Sequence, residues 1–183
     1  IETPFYYYDT DLLRATLDTI NAEAGKHEGY CVHYAVKANA NPKVMGIIAK
    51  AGLGADCGSG NEVKAALNAG FPAEKIVYAG VAKTDREILL GIDNGIFCFN
   101  CESIEELEII QQLAASRQKV ARVAFRINPN VGAHTHANIT TGLAENKFGI
   151  AHESLVEIME AVMKMKNVKK IVIVMNVNVK MIL

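Results

Sequence analysis

The sequence predicts an α/β fold, a parallel TIM-type (β/α)8 barrel with about six of its eight barrel strands present. Three observations lead there. One unit recurs along the chain: a short apolar strand, a polar residue, a helix-start signal and an amphipathic helix. That alternation calls for parallel pairing with helical crossovers. The glycine pattern of a dinucleotide-binding turn is missing, because Gly52 and Gly54 come at or before the start of the strand they would have to follow. This argues against an open doubly wound sheet. Finally, the carboxyl ends of successive strands carry Lys37, Asp56, Asn100 and Arg126, polar residues that a barrel would gather at one mouth.

Taken in order, Phe5 to Tyr8 reads as an opening strand and Asp11 to Ala24 as a helix. Strand Cys31 to Lys37 precedes Asn41-Pro42, where proline at the first helical position loses no hydrogen bond. Strand Leu53 to Cys57 leads into Ser59-Gly60-Asn61-Glu62, a capping box whose Ser and Glu can satisfy the orphan amides of a new helix. Strand Ile76 to Ala79 runs to the box Thr84–Glu87, and strand Ile96 to Phe99 to the box Ser103–Glu106. In strand Ala121 to Ile127, Val123, Phe125 and Ile127 form an apolar face, while Arg122, Ala124 and Arg126 share the other with Asn128. A connection from Asn128 to Ala151 follows, longer than compact domains usually carry and suited to a barrel mouth. The chain then reads as a helix from Glu153 to Met165 and a strand from Lys170 to Met175.

Lys37 is chemically expensive. Strand alternation places Cys31, His33, Ala35 and Lys37 on one face, walled by apolar neighbours, where burial would favour the neutral amine. Such an amine suits attack on a carbonyl to form a Schiff base. Its alternative is a lysine whose stem packs while its head reaches solvent. Arg126, aimed toward the barrel axis, needs an anion or a carboxylate, and Asp56 is the candidate for a purely structural pair.

The chain has 183 residues, 50% of them hydrophobic, and a net charge of −1. Its basic residues are dispersed among a near-equal number of acids, which predicts no nucleic-acid partner and no anionic membrane partner. No apolar run is long enough to span a bilayer, and the first residues lack a leader pattern, so a cytoplasmic protein is expected. Cys31, Cys57 and Cys98 fall on expected strands as small buried hydrophobes. Cys98 and Cys101 have metal or redox spacing, but no second pair accompanies them. His134-Thr135-His136 likewise lacks a ligand set, so no metal is expected.

Several segments together resemble the pyridoxal-phosphate-dependent amino-acid decarboxylases with an alanine-racemase-like barrel, and among them the diaminopimelate branch. They are Tyr34-Ala35-Val36-Lys37-Ala38-Asn39, Gly54-Ala55-Asp56 with Ser59-Gly60-Asn61-Glu62, Phe99-Asn100-Cys101-Glu102-Ser103 and Arg126-Ile127-Asn128-Pro129-Asn130. The run Thr141-Gly142-Leu143 with Glu145-Asn146-Lys147-Phe148-Gly149 is the most particular to that branch. The resemblance implies that Lys37 holds pyridoxal 5'-phosphate, that Asp56 and Arg126 lie beside it, and that Ser59, Glu62 and Asn100 line the same mouth. The implied reaction is decarboxylation of meso-diaminopimelate to L-lysine, with ornithine, arginine or a carboxylated polyamine as alternative substrates, or a non-catalytic cofactor-binding barrel as an alternative role. The chain is accordingly divided into an opening strand and helix over 1–24 and a truncated pyridoxal-phosphate-binding barrel domain over 25–183. Two more barrel strands and a carboxy-terminal β domain are expected beyond the chain, and a homodimer in the full-length protein. One departure stands out: the family's next strand ends in His-x-His-Ile-Gly-Ser, and here Asn176 stands where the histidine that stacks on the cofactor is expected.

Overall fold

The structure, a computed structural model, describes residues 2–128 and 149–175. The expectations for His134 to His136, for most of the connection from Asn128 to Ala151, and for Asn176 lie outside the described residues.

Among the described residues, seven parallel strands form one sheet: β1 (His33–Ala35), β2 (Gly54–Cys57), β3 (Ile76–Tyr78), β4 (Cys98–Cys101), β5 (Ala121–Asn128), β6 (Ile150–Ala151) and β7 (Val168–Met175). The first five lie side by side in sequence order. β5 then pairs with β7 along Ala121–Ile127, and the two residues of β6 pair with Ile127 and Asn128. Helix α1 (Thr10–Ala24) precedes β1, and between the strands run α2 (Pro42–Lys50), α3 (Gly60–Ala69), α4 (Asp85–Asn94), α5 (Ile104–Ser116) and α6 (Leu155–Lys164). Sequential parallel pairing of the first five strands with helical crossovers is the arrangement expected of a partial barrel.

Helices α1 to α5 begin where local chemistry starts them. Asp9 accepts from the amides of Asp11 and Leu12, and Asn41 caps α2 ahead of Pro42. Ser59 and Ser103 cap α3 and α5 by accepting from Glu62 N and Glu106 N, each at 3.2 Å. The glutamates of these two boxes reach one residue further back than a capping box requires. Glu62 Oε2 accepts from Gly58 N at 2.7 Å and Glu106 Oε2 from Glu102 N at 2.9 Å. At α4 the reach is the usual one, with Thr84 N donating to Glu87 Oε2 at 3.1 Å.

The core sits between the sheet's outer face and the helices. Ala55, Cys57, Ile76, Tyr78, Phe99, Cys101, Val123, Phe125 and Ile127 meet Val63, Ile88, Leu107, Ile110 and Ile158 there. Cys98 and Ala124 are equally buried but stand outside that cluster, on the opposite face with Asp56, Asn100 and Arg126.

Three expectations are corrected. Phe5 to Tyr8 is not a strand: no described segment pairs with it, and Tyr6 is 89% exposed. β1 ends at Ala35, and Val36–Ala38 form a 3-10 turn closed by Asn39 N donating to Val36 O. The chain must turn there to reach the Asn41 cap, so the strand alternation does not extend to Lys37. Cys31 precedes the strand and is exposed rather than buried.

Candidate active site at the carboxyl ends of the strands

Asp56 is the electrostatic centre of the mouth. Partial burial on the inner face of β2 raises its carboxyl above the ordinary range, and the opposing pull comes from Lys37, then His33. Glu62 pushes it further up, and Arg126 helps hold it down. The charges of the expected residues Lys37, Glu62 and Arg126 thus all act on the Asp56 carboxyl.

Lys37 itself is exposed, not walled by apolar side chains. The 3-10 turn lifts it off the sheet, with Val36 buried beneath it. Its amine makes no hydrogen bond or ion pair with any described residue. An exposed primary amine near the end of β1 suits reaction with an aldehyde.

Arg126 finds its carboxylate on the neighbouring strand, not in Asp56. Its Nη1 donates to Glu102 Oε1 at 2.9 Å. The other oxygen of Glu102 accepts from Gly149 N at 2.8 Å. Glu102 continues the inner face of β4 two residues beyond Asn100, which is why it meets a guanidinium on β5. Behind it, Lys83 is fully buried and donates to Gly80 O, Asn100 O and Glu106 Oε1 at 2.7, 2.8 and 2.6 Å. Its ammonium also lies 5.3 Å from the centre of the Tyr78 ring.

The remaining expected residues divide. Asn100 faces the interior, its Oδ1 3.9 Å from Cys98 Sγ. The Ser59 hydroxyl is occupied at the start of α3. Cys98 and Cys101, three apart on a strand, point to opposite faces, so their spacing forms neither a disulfide nor a shared metal site. Burial pushes the thiols of Cys57 and Cys98 up to about 12 and about 11. Among the described residues no group of three or more His, Cys, Asp or Glu side chains could hold a metal ion. A cavity of about 290 Å³ opens at the opposite pole, lined in part by Cys31, His33, Lys75 and Phe97. It lies at the amino ends of the strands, away from the Lys37 turn.

Residues 13–178 match the family described as pyridoxal-dependent decarboxylase, pyridoxal binding domain. The chain belongs to this decarboxylase family. It is 64% identical over 92% of its length to a diaminopimelate decarboxylase of Bacteroides thetaiotaomicron, of which it covers 44%. To the Zymomonas mobilis diaminopimelate decarboxylase it is 44% identical over 82% of its length, covering 36% of that protein. The crystal structure of a mutant diaminopimelate decarboxylase from Helicobacter pylori, complexed with L-lysine, superposes with a TM-score of 0.91 at 36% identity, covering 97% of this chain and 45% of that one. The chain thus spans less than half the length of these relatives. An arginine decarboxylase from a Chlorella virus, at 21% identity and a TM-score of 0.74, shares the fold.

The family assignment agrees with the barrel and with pyridoxal as cofactor. The sequence did not single out Glu102, Lys83 or His33. Glu102 had a signal, its i+2 position from Asn100 on an inward face. Lys83 had none, because two of its three partners, Asn100 O on β4 and Glu106 on α5, are distant in sequence. Among the described residues no helix is long and apolar enough to cross a membrane.

Proposed function

We propose that this chain is the cofactor-binding portion of a pyridoxal-phosphate-dependent decarboxylase that converts meso-diaminopimelate to L-lysine and carbon dioxide. The observation that carries the reading is the placement of Lys37 just past the end of β1, Asp56 beside that end on β2 and Arg126 on β5 against Glu102, in a chain 64% identical to a diaminopimelate decarboxylase. Bound pyridoxal phosphate supplies an electron sink for the pair left behind by a departing carboxylate. The protein's own groups do the rest. Lys37 offers the amine that holds the aldehyde. Asp56, raised by burial, keeps a proton more readily than a solvated aspartate, and the charge of Lys37 opposes that shift. Arg126, fixed by Glu102, adds positive charge to the same mouth. Glu62 and Asn100 line it, and Ser59 shapes it through the start of α3. The full-length protein is read as a cytoplasmic homodimer acting on a small amino acid, with residues 25–183 as its barrel portion.

Two measurements test this. With added pyridoxal phosphate and borohydride, peptide mapping should find the reduced adduct at Lys37, and Lys37→Ala should abolish it. A chimera joining this chain to the remaining part of the Bacteroides thetaiotaomicron relative should release lysine from meso-diaminopimelate. Turnover of ornithine or arginine instead would reassign the substrate, and cofactor binding without turnover would make the barrel a non-catalytic binder.

A further inference from the structure

We propose that Glu102 is a positioning residue for the cofactor site: its carboxylate fixes the Arg126 guanidinium at the mouth and ties the Gly149 amide to the same point. The inference rests on the reading that Arg126 lies beside the cofactor. It starts from the use of both oxygens. Oε1 accepts from Arg126 at 2.9 Å and Oε2 from Gly149 N at 2.8 Å, and the Glu102 side chain is only 9% exposed. A carboxylate shared between two donors on different segments is held in both directions, and its charge makes each bond stronger than a neutral one.

The carboxylate is itself anchored. Glu102 N donates to Glu106 Oε2, and Glu106 Oε1 accepts from Lys83. Lys83 has three partners for its three N–H bonds, so it is a fixed point rather than a mobile charge. The line of contacts therefore runs from a buried ammonium through two glutamates to the guanidinium. Gly149 adopts φ 86°, a conformation that L side chains rarely take. Its amide is thereby presented at the place where β6 begins to pair with β5.

Arg126 has a second carboxyl within electrostatic reach, because Asp56 feels its charge. Without Glu102 the guanidinium would be drawn toward Asp56, and the mouth would lose its separated positive and negative groups. Glu102 thus acts through Arg126 and not on the cofactor directly.

The test is a double-variant cycle on cofactor affinity in this chain, read by pyridoxal phosphate absorbance with borohydride mapping. Glu102→Gln keeps the shape but can serve only one of the two donors. It should raise the apparent Kd about tenfold while Lys37 remains the labelled residue. Arg126→Lys should do the same, and combining the two should add little further loss. Full additivity, or an unchanged Kd in Glu102→Gln, overturns the proposal. If the parent chain gives no Lys37 adduct, the functional reading has failed instead. The geometry is then judged by amide hydrogen exchange without cofactor. Gly149 should exchange at least about tenfold faster in Glu102→Ala than in the parent, and equal rates would sink the inference. Should Glu102→Ala not fold, the exchange comparison is made with Glu102→Gln and Arg126→Lys, which must change protection at Gly149 in at least one case.

Discussion

The two faces of one sheet solve opposite problems. Outward, Tyr78, Phe99, Val123 and Phe125 are packed under the helices with almost no exposure. Inward, the sheet carries His33, Asp56, Asn100 and Arg126, groups that lose hydration: the nearby positive charges offset only part of the burial of Asp56, and Arg126 finds a partner in Glu102. The outer face is where stability resides, and the inner face spends some of it on chemistry. Substitutions should therefore have different signs on the two faces.

The largest effect belongs to the outer face. Phe125→Ala should cost about 3–5 kcal/mol, measured by denaturant unfolding, and a loss below about 1 kcal/mol would mean that the helices do not close over β5 as described. Lys83→Ala sharpens the contrast, because this charged residue near the mouth is structural. It leaves Glu106 without its buried partner, so a comparable loss of about 3–5 kcal/mol is expected. Retained stability would show that the ammonium is dispensable.

On the inner face the sign reverses. The folded-state carboxyl of Asp56 is raised above its ordinary 3.8, so the folded protein binds this proton more tightly than the unfolded chain. That contribution is present at low pH and lost as pH rises through the raised value. Asp56→Asn should therefore raise the Tm at neutral pH, by about 2–4 °C for each kcal/mol recovered. The gain should shrink below about pH 4, and a lower Tm at neutral pH would contradict the account. His33 gives the smallest effect. Its imidazole is lowered from 6.5, first by burial and then by Lys75, against the Cys31 carbonyl and Asp56. The unfolded chain thus takes up this proton first, and stability should fall as pH drops below 6.5. His33→Gln should flatten that slope in pH-dependent melting, and an unchanged slope would place its origin elsewhere.

Much of this division was legible in the chain. Helix starts at Ser59, Thr84 and Ser103 are written in residues three apart, and the alternation from Arg122 to Ile127 gives both faces of β5. Lys37 was misplaced by one structural step. The alternation that works for a strand gives the wrong environment once the backbone turns at Val36. The partner of Arg126 was hidden for another reason. Choosing Glu102 over Asp56 requires the register of β4 on β5, which sequence distance does not carry. β6 is two residues long, too short for any periodicity.

Of the four thiols, three lie in the packed interior and Cys31 is exposed. Burial raises the other three, so thiolate-selective reagents will find Cys31 first. The unmodified chain therefore carries its own attachment point for a fluorophore or spin label, at the pole opposite Lys37, from which events at the mouth can be followed without altering a residue there.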